Sequence, residues 1–266
     1  MDKMERVLVT GAAGFIGAQL SRRLMDRGLV VKGIDNFNDH LYTPKLKRDR
    51  MVHFDLDIWG CDLKDEIKVE ALVRDFKPDT IVHLAAMAGV RDSLGKEKSY
   101  HANNIDATQN LIDVCRNHFP EVRIVYASTS CIYAGAPVPW VEGREHGKQL
   151  NAYGYTKWAN ECQMQSSGLN TVGLRFFTVY GPWGRPDMAL FDFTKNILDE
   201  KEITVYNYGD MKRDFTYVDD ILDGIEIVLD NTDIEPGEIF NIGRGEQVGL
   251  MDFIGEIEKN TGKEAI

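Results

Sequence analysis

Basic residues are in deficit. Lys and Arg total 31 against 42 Asp and Glu, leaving a formal net charge of −11. That balance argues against general binding to nucleic acid or to anionic membrane surfaces. It also means that an anionic substrate needs a local positive pocket. Long apolar runs are missing as well. The hydrophobic 43% of the 266 residues is broken into short stretches, well below the about 20 consecutive apolar residues of a membrane helix. The opening Met1-Asp2-Lys3-Met4-Glu5 is charged and runs straight into the first apolar stretch, so no signal peptide is expected. Cysteine is sparse: Cys61, Cys115, Cys131 and Cys162 are scattered without C-x-x-C spacing. They read as reduced thiols of a cytoplasmic protein, neither a disulfide framework nor a metal site. The six histidines form no H-x-x-x-H pair, and no internal repeat or low-complexity segment is present.

Glycine, by contrast, is concentrated where it carries meaning. Arg6-Val7-Leu8-Val9-Thr10 reads as a short buried strand. Gly11, Gly14 and Gly17 follow at once, and Phe15 to Arg27 reads as an amphipathic helix. Glycines at such a turn let backbone approach a pyrophosphate, whose charge sits at the helix N-terminus. The spacing is G-x-x-G-x-x-G rather than G-x-G-x-x-G, and a glycine-rich turn is also simply a tight turn. The next strand bears on that choice. Val30 to Ile34 ends in Asp35, at about the 20-residue distance expected of a ribose-binding carboxylate. An acid there accepts hydrogen bonds from the ribose hydroxyls and repels a 2′-phosphate, which favours NAD over NADP. The alternative for Asp35 is a plain turn residue.

Strands and helices then alternate. Residues 57–63 read as a strand end and Lys64 to Phe76 as a helix. Thr80 to Ala86 reads as a continuous apolar strand and Tyr100 to Asn117 as a helix. Arg123 to Ser128 is a strand, Ala152 to Gln165 a helix, and Thr171 to Phe177 a strand. This order predicts an α/β fold with a doubly wound parallel sheet and ligands at the carboxyl ends of its strands. The pattern loosens after Tyr180-Gly181-Pro182-Trp183-Gly184. Beyond it come a helix, a short strand at Ile203 to Tyr206, and the run Arg213 to Asp220. The expected division is a dinucleotide-binding domain over residues 1–180 and a small substrate-binding cap over 181–266.

The stretch Asn151 to Lys157 is the richest in chemistry. It spaces Tyr153 and Lys157 so that both share one helix face, a turn apart. A fixed ammonium favours phenolate in the neighbouring tyrosine, which makes a general base for a substrate hydroxyl. Alone, such a pair also fits a solvated helix face.

Together, Gly11/Gly14/Gly17, Asp35, Asp62-Leu63, Ser128-Thr129, Tyr153/Lys157 and Arg213-Asp214-Phe215 resemble the extended short-chain dehydrogenases of the nucleotide-sugar epimerase/dehydratase family. The similarity covers essentially the whole chain. Within that family, Ala88 to Arg91 and Gly181 to Met188 most resemble the UDP-glucuronate 4-epimerases. The resemblance implies a Rossmann-type fold, NAD as cofactor, a UDP-sugar substrate and inversion at its C4. It implies that Tyr153 takes the 4-hydroxyl proton, that Lys157 lowers the tyrosine pKa and holds the nicotinamide ribose, and that Thr129 relays the proton. Asp62 and Leu63 would flank the adenine, Arg213 would meet the UDP phosphates, and Arg91 would add positive charge near the sugar.

Dehydratases of the family carry an Asp-Glu pair after the threonine, and the related decarboxylases a glutamate nearby. Here Ser130-Cys131 follows, with no acid. A uronic acid brings a hazard of its own, because its 4-keto form is a β-keto acid and loses carbon dioxide readily. A guanidinium fork holding the carboxylate in the ring plane prevents that. Arg185 suits the task, and the resemblance to the epimerases implies that Thr178 and Ser130 would add hydrogen bonds. The alternatives stay open: strand packing for Thr129, space-filling for Ser130, solvated loops for Arg91 and Arg185. The helices at 100–117 and 152–165 resemble those that pair into a homodimer in the family, although their apolar faces could pack within one subunit. Family members usually continue for some tens of residues past the position of Ile266, so the cap is expected to be incomplete. Other family enzymes (a UDP-hexose 4-epimerase, a decarboxylase) or a non-catalytic NAD-binding scaffold are the competing expectations.

Overall fold

The computed structural model describes residues 4–143 and 147–266. The chain opens with β1 (Arg6–Thr10), α1 (Phe15–Asp26), β2 (Val30–Asp35), α2 (Pro44–His53), β3 (Ile58–Gly60), α3 (Glu66–Phe76) and β4 (Thr80–His83). Next come α4 (Glu97–Tyr100), a π-helical turn (His101–Asp106), α5 (Ala107–His118), β5 (Arg123–Thr129), a 3₁₀ turn (Ser130–Tyr133), α6 (Ala152–Ser166) and β6 (Asn170–Phe176). The remainder comprises β7 (Thr178–Tyr180), α7 (Ala189–Leu198), β8 (Lys212–Arg213), β9 (Phe215–Tyr217), α8 (Val218–Asp230), β10 (Ile239–Ile242), β11 (Val248–Gly249) and α9 (Leu250–Thr261).

Two compact units result. The first holds residues 1–176 and 222–242, the second 177–221 and 243–266. The single cut at residue 180 expected from the sequence therefore differs from the observed division. The chain returns to the first unit, because β10 joins the main sheet beside β6.

That sheet has seven strands in the order β10-β6-β5-β4-β1-β2-β3, every pairing parallel. Covered on both faces, its strands are near-continuous apolar runs: Val7, Leu8 and Val9 of β1 and Ile81 and Val82 of β4 have no exposed surface. The strand order reverses between β1 and β4, which makes their carboxyl ends the switch point where ligands bind in such sheets. His83 ends β4. Its Nδ1 lies 2.8 Å from Thr10 Oγ1 and its Nε2 3.0 Å from Thr108 Oγ1. Burial, with Lys157 adding to it, pushes its pKa down to about 3. It is a neutral imidazole that ties β1, β4 and α5 together.

The second unit is built on α7 and α9, through Phe193, Ile197, Leu250, Ile254 and Ile257. Phe215 stacks on Phe253 at 4.2 Å. β7 pairs with β9 in parallel and β8 with β11 antiparallel.

Three expected elements take a different form. The strand at Thr80 stops at His83, because the backbone beyond leaves the sheet at the switch point. The helix at 100–117 is instead α4, a π turn and α5. No strand forms at Ile203–Tyr206. The chain enters a 3₁₀ turn there, with Asn207 and Tyr208 at φ of 51° and 52°, a left-handed conformation that no ladder accepts. The helix α2, with Pro44 in its first turn, was not anticipated at all. Its residues lack an apolar stripe, so periodicity gives no sign of it.

Candidate active site

The glycine turn is shaped by close backbone approach. Gly11 has φ of 71°, and a Cβ there would lie 2.8 Å from the Ala85 nitrogen across the switch point. A Cβ on Gly17 would come 2.3 Å from the Gly11 carbonyl oxygen. Larger residues would push the turn away from α1. The N-terminus of α1 carries no side-chain cap and no acid in its first turn, so its amides face a site suited to an anion. Asp35 closes β2. Its Oδ1 accepts from Phe37 N at 2.7 Å and its Oδ2 from Ala13 N at 3.2 Å. Both bonds fix the carboxylate while leaving lone pairs for hydroxyl donors. A cavity of about 130 Å³ gathers Gly11, Gly14, Asp35, Asp62 and Leu63, five of the residues expected to bind the cofactor. Gly17 supports the turn from beneath. These features fit a dinucleotide: a backbone cradle for the pyrophosphate and a fixed carboxylate for a ribose.

The second group stands on β5 and α6. Asn151 caps α6, its Oδ1 accepting from Gly154 N at 2.8 Å, which places Tyr153 in the first turn and Lys157 one turn on. Lys157 is 2% exposed. Burial lowers its pKa to about 8, against the opposing pull of Glu161. Thr129 ends β5 and accepts from Cys131 N at 3.2 Å, so its hydroxyl proton can be donated onward. Ser130 opens the 3₁₀ turn beside it.

Behind these residues lies a buried polar chain that sequence reading missed. Arg175 of β6 forks onto Glu161 of α6, Nε to Oε1 at 2.9 Å and Nη2 to Oε2 at 2.8 Å. Ser128 donates to Glu161 Oε1 at 2.5 Å. Arg175 also donates to the Tyr133 hydroxyl at 2.5 Å, and Tyr133 to Asn241 Oδ1 at 2.9 Å. Register brings Ser128 opposite Arg175. The chain thus clamps α6 to the end of β5. Removing one partner of such a pair costs about 3–5 kcal/mol. Asn104, in the π turn, is a second clamp. Its side chain accepts from Met87 N at 2.7 Å and donates to Thr156 Oγ1 at 2.9 Å. It joins the exit of β4 to the helix that carries Tyr153. The signal available in the sequence was a pair of asparagines, Asn103-Asn104, in the middle of an apolar helical pattern.

The remaining expected residues fall elsewhere. Arg91 lies exposed in the turns after β4. Thr178, Arg185 and Arg213 belong to the second unit. Thr178 starts β7, opposite Phe215. Arg213 is exposed and donates to the Lys212 carbonyl at 2.9 Å. Arg185 forks onto Asp187, Nε to Oδ1 at 3.0 Å and Nη2 to Oδ2 at 2.5 Å. None of the four cysteines is in a disulfide. Among the described residues, no helix is long and apolar enough to cross a membrane.

The switch-point cavity, the glycine turn and the fixed acid at the end of β2 define a Rossmann-type dinucleotide-binding protein. Residues 7–243 match the profile of the NAD dependent epimerase/dehydratase family, and the chain belongs to it. Its cofactor is NAD. The chain is 39% identical over 284 residues to Protein CapI of Staphylococcus aureus, covering 98% of this chain and 84% of that protein. It is 41% identical over 277 residues to UDP-glucuronate 4-epimerase 1 of Arabidopsis thaliana, covering 96% of this chain and 64% of that protein. The crystal structure of UDP-glucuronic acid 4-epimerase from Bacillus cereus, in complex with UDP-glucuronic acid and NAD, is similar with a TM-score of 0.90. The identity there is 35%, over 98% of this chain and 84% of that one.

The Asp35 carboxylate leads to a direct expectation. Cofactor-free protein titrated with both dinucleotides should bind NAD more tightly than NADP, since a 2′-phosphate removes a hydroxyl donor from the ribose. Equal affinities would take Asp35 out of that role.

Proposed function

We infer that the chain inverts C4 of a UDP-sugar with NAD, converting UDP-glucuronate to UDP-galacturonate. The carrying observation is the pair Tyr153 and Lys157 on a capped helix, clamped to a strand end that reads Thr129-Ser130-Cys131 without an acid. The similarity to UDP-glucuronate 4-epimerases supports the same reading. Bound NAD supplies a hydride acceptor at C4 and then the hydride that returns. Tyr153, as phenolate, takes the 4-hydroxyl proton. Lys157, positively charged at neutral pH, stabilises that phenolate and donates to a ribose hydroxyl. Thr129 donates to the same sugar oxygen. The resulting 4-keto sugar meets no carboxylate from the residues after Thr129 that could drive elimination. It takes hydride back, on the opposite face once the sugar has turned. Arg213 and Arg91 supply positive charge for the diphosphate and the sugar, while Arg185, Thr178 and Ser130 hold the C6 carboxylate. The cytoplasmic protein acts as a homodimer through α5 and α6, where Trp158 is 41% exposed.

The test is incubation with UDP-glucuronate followed by separation of the sugar nucleotides. UDP-galacturonate supports the reading. A UDP-pentose means decarboxylation instead, and unchanged substrate points to a non-catalytic NAD-binding protein.

Lys157 also sets a pH dependence. Its ammonium is lost as pH rises through about 8, and the phenolate then loses its counter-charge. Turnover should fall on the alkaline side from about pH 8. A profile that stays flat to well above that value would detach Lys157 from the rate.

A further inference from the structure

One buried cation faces the cofactor cavity, and the reaction chemistry leaves it without a role. Lys47 of α2 lines the same cavity as Asp35. Its Nζ is 3.5 Å from Asp35 Oδ1, with side chains 9% and 5% exposed. It also lies 5.9 Å from the centre of the Tyr42 ring. One turn further along α2, Arg50 is fully buried. It donates to the Tyr42 hydroxyl at 2.9 Å and to the Ala13 carbonyl at 3.3 Å. Tyr42 is thus gripped by two cations of one helix, and α2 is fastened to the glycine turn.

This placement changes the electrostatics of the ribose subsite. Asp35 alone presents a negative charge that repels a 2′-phosphate. With Lys47 beside it in a poorly solvated pocket, the pair is neutral overall. At 3.5 Å the ion pair is longer than a strong charged hydrogen bond, and an ammonium has three protons to donate. A lysine that lines the pocket can therefore turn one of them toward a ligand oxygen. A positive group close to the ribose is the usual means of accommodating a 2′-phosphate.

We propose that Lys47 is a specificity-determining residue for the cofactor, an ammonium that offsets Asp35 and keeps the site open to a 2′-phosphate. Discrimination against NADP then rests on lost hydrogen bonds to Asp35 and not on charge repulsion. Arg50 is not among the residues that line the cavity and acts by holding the segment.

The experiment loads the full chain with NADH and follows its displacement by NAD, NADP, 5′-AMP and 2′,5′-ADP. Wild type, Lys47→Met and Lys47→Arg are compared, with the thermal midpoint of each recorded. In Lys47→Met, displacement by NADP and by 2′,5′-ADP should weaken at least tenfold relative to NAD and 5′-AMP. Lys47→Arg should stay within about threefold of wild type. An equal loss for all four ligands would make Lys47 a general structural or phosphate contact and overturn the proposal. So would ratios unchanged in a folded Lys47→Met. If that variant does not fold, the wild-type protein decides. Raising the salt concentration should weaken 2′,5′-ADP more than 5′-AMP if a cation meets the 2′-phosphate. An equal response to salt also overturns the proposal.

Discussion

Replacing Tyr153 with phenylalanine is expected to leave NAD binding intact and to reduce turnover by at least about 100-fold, the low end for removing a general base. The substitution deletes one oxygen and keeps the ring. Tyr153 is partly buried in the first turn of α6, packed with Tyr155 against Met87, Tyr100 and Ala152. Phenylalanine can occupy that space. The cap at Asn151 and the clamp of Asn104 on Thr156 involve other atoms, so the helix should hold its position. Bound NAD, measured by displacement, separates the two ways the variant could fail. Lost turnover with retained cofactor places the defect at proton transfer. Near-wild-type turnover would remove Tyr153 from the mechanism. Lost cofactor would mean that the phenol supports the site rather than the reaction.

The parts of this molecule that could be read from its sequence are those written locally. β1, the glycine turn, α1 and Asp35 stand within one continuous stretch, and each is fixed by neighbours near in the chain. The strand runs from Arg6 to Thr10 as expected, and the Tyr153/Lys157 face follows from helical spacing alone. What the sequence hid depends on distant partners. The clamp on α6 joins Ser128, Glu161, Arg175, Tyr133 and Asn241, and its outermost members lie 113 positions apart (241 minus 128). No local pattern announces such a chain, and a buried Glu–Arg pair looks like two surface residues until the strands are paired. The same reason conceals Lys47. Its helix has no apolar face, so its only sign was a lysine some residues after an acid. The division at residue 180 failed to anticipate the return of β10, because a four-residue strand finds its place only by pairing with β6.

Arg185→Ala tests the substrate assignment most severely. The guanidinium already forks onto Asp187, with side chains 21% and 28% exposed, so the carboxylate of a uronic acid has to share or displace that partner. Alanine leaves Asp187 without its partner whichever sugar is bound, and that cost cancels when two sugar nucleotides are compared. What remains is the contact with the substrate carboxylate, worth about 2–3 kcal/mol for a charged hydrogen-bonded pair away from bulk water. Binding of UDP-glucuronate should therefore weaken roughly 30- to 150-fold more than binding of UDP-glucose, which has no carboxylate to lose. A loosened C6 group can rotate out of the ring plane in the 4-keto sugar, so some decarboxylated product should appear as well. Asp187→Ala supplies the control. If Arg185 only fastens its loop through Asp187, both variants should weaken the two nucleotides alike and release no carbon dioxide. If Arg185 reads the carboxylate, Asp187→Ala should keep the preference for the uronic acid while Arg185→Ala loses it.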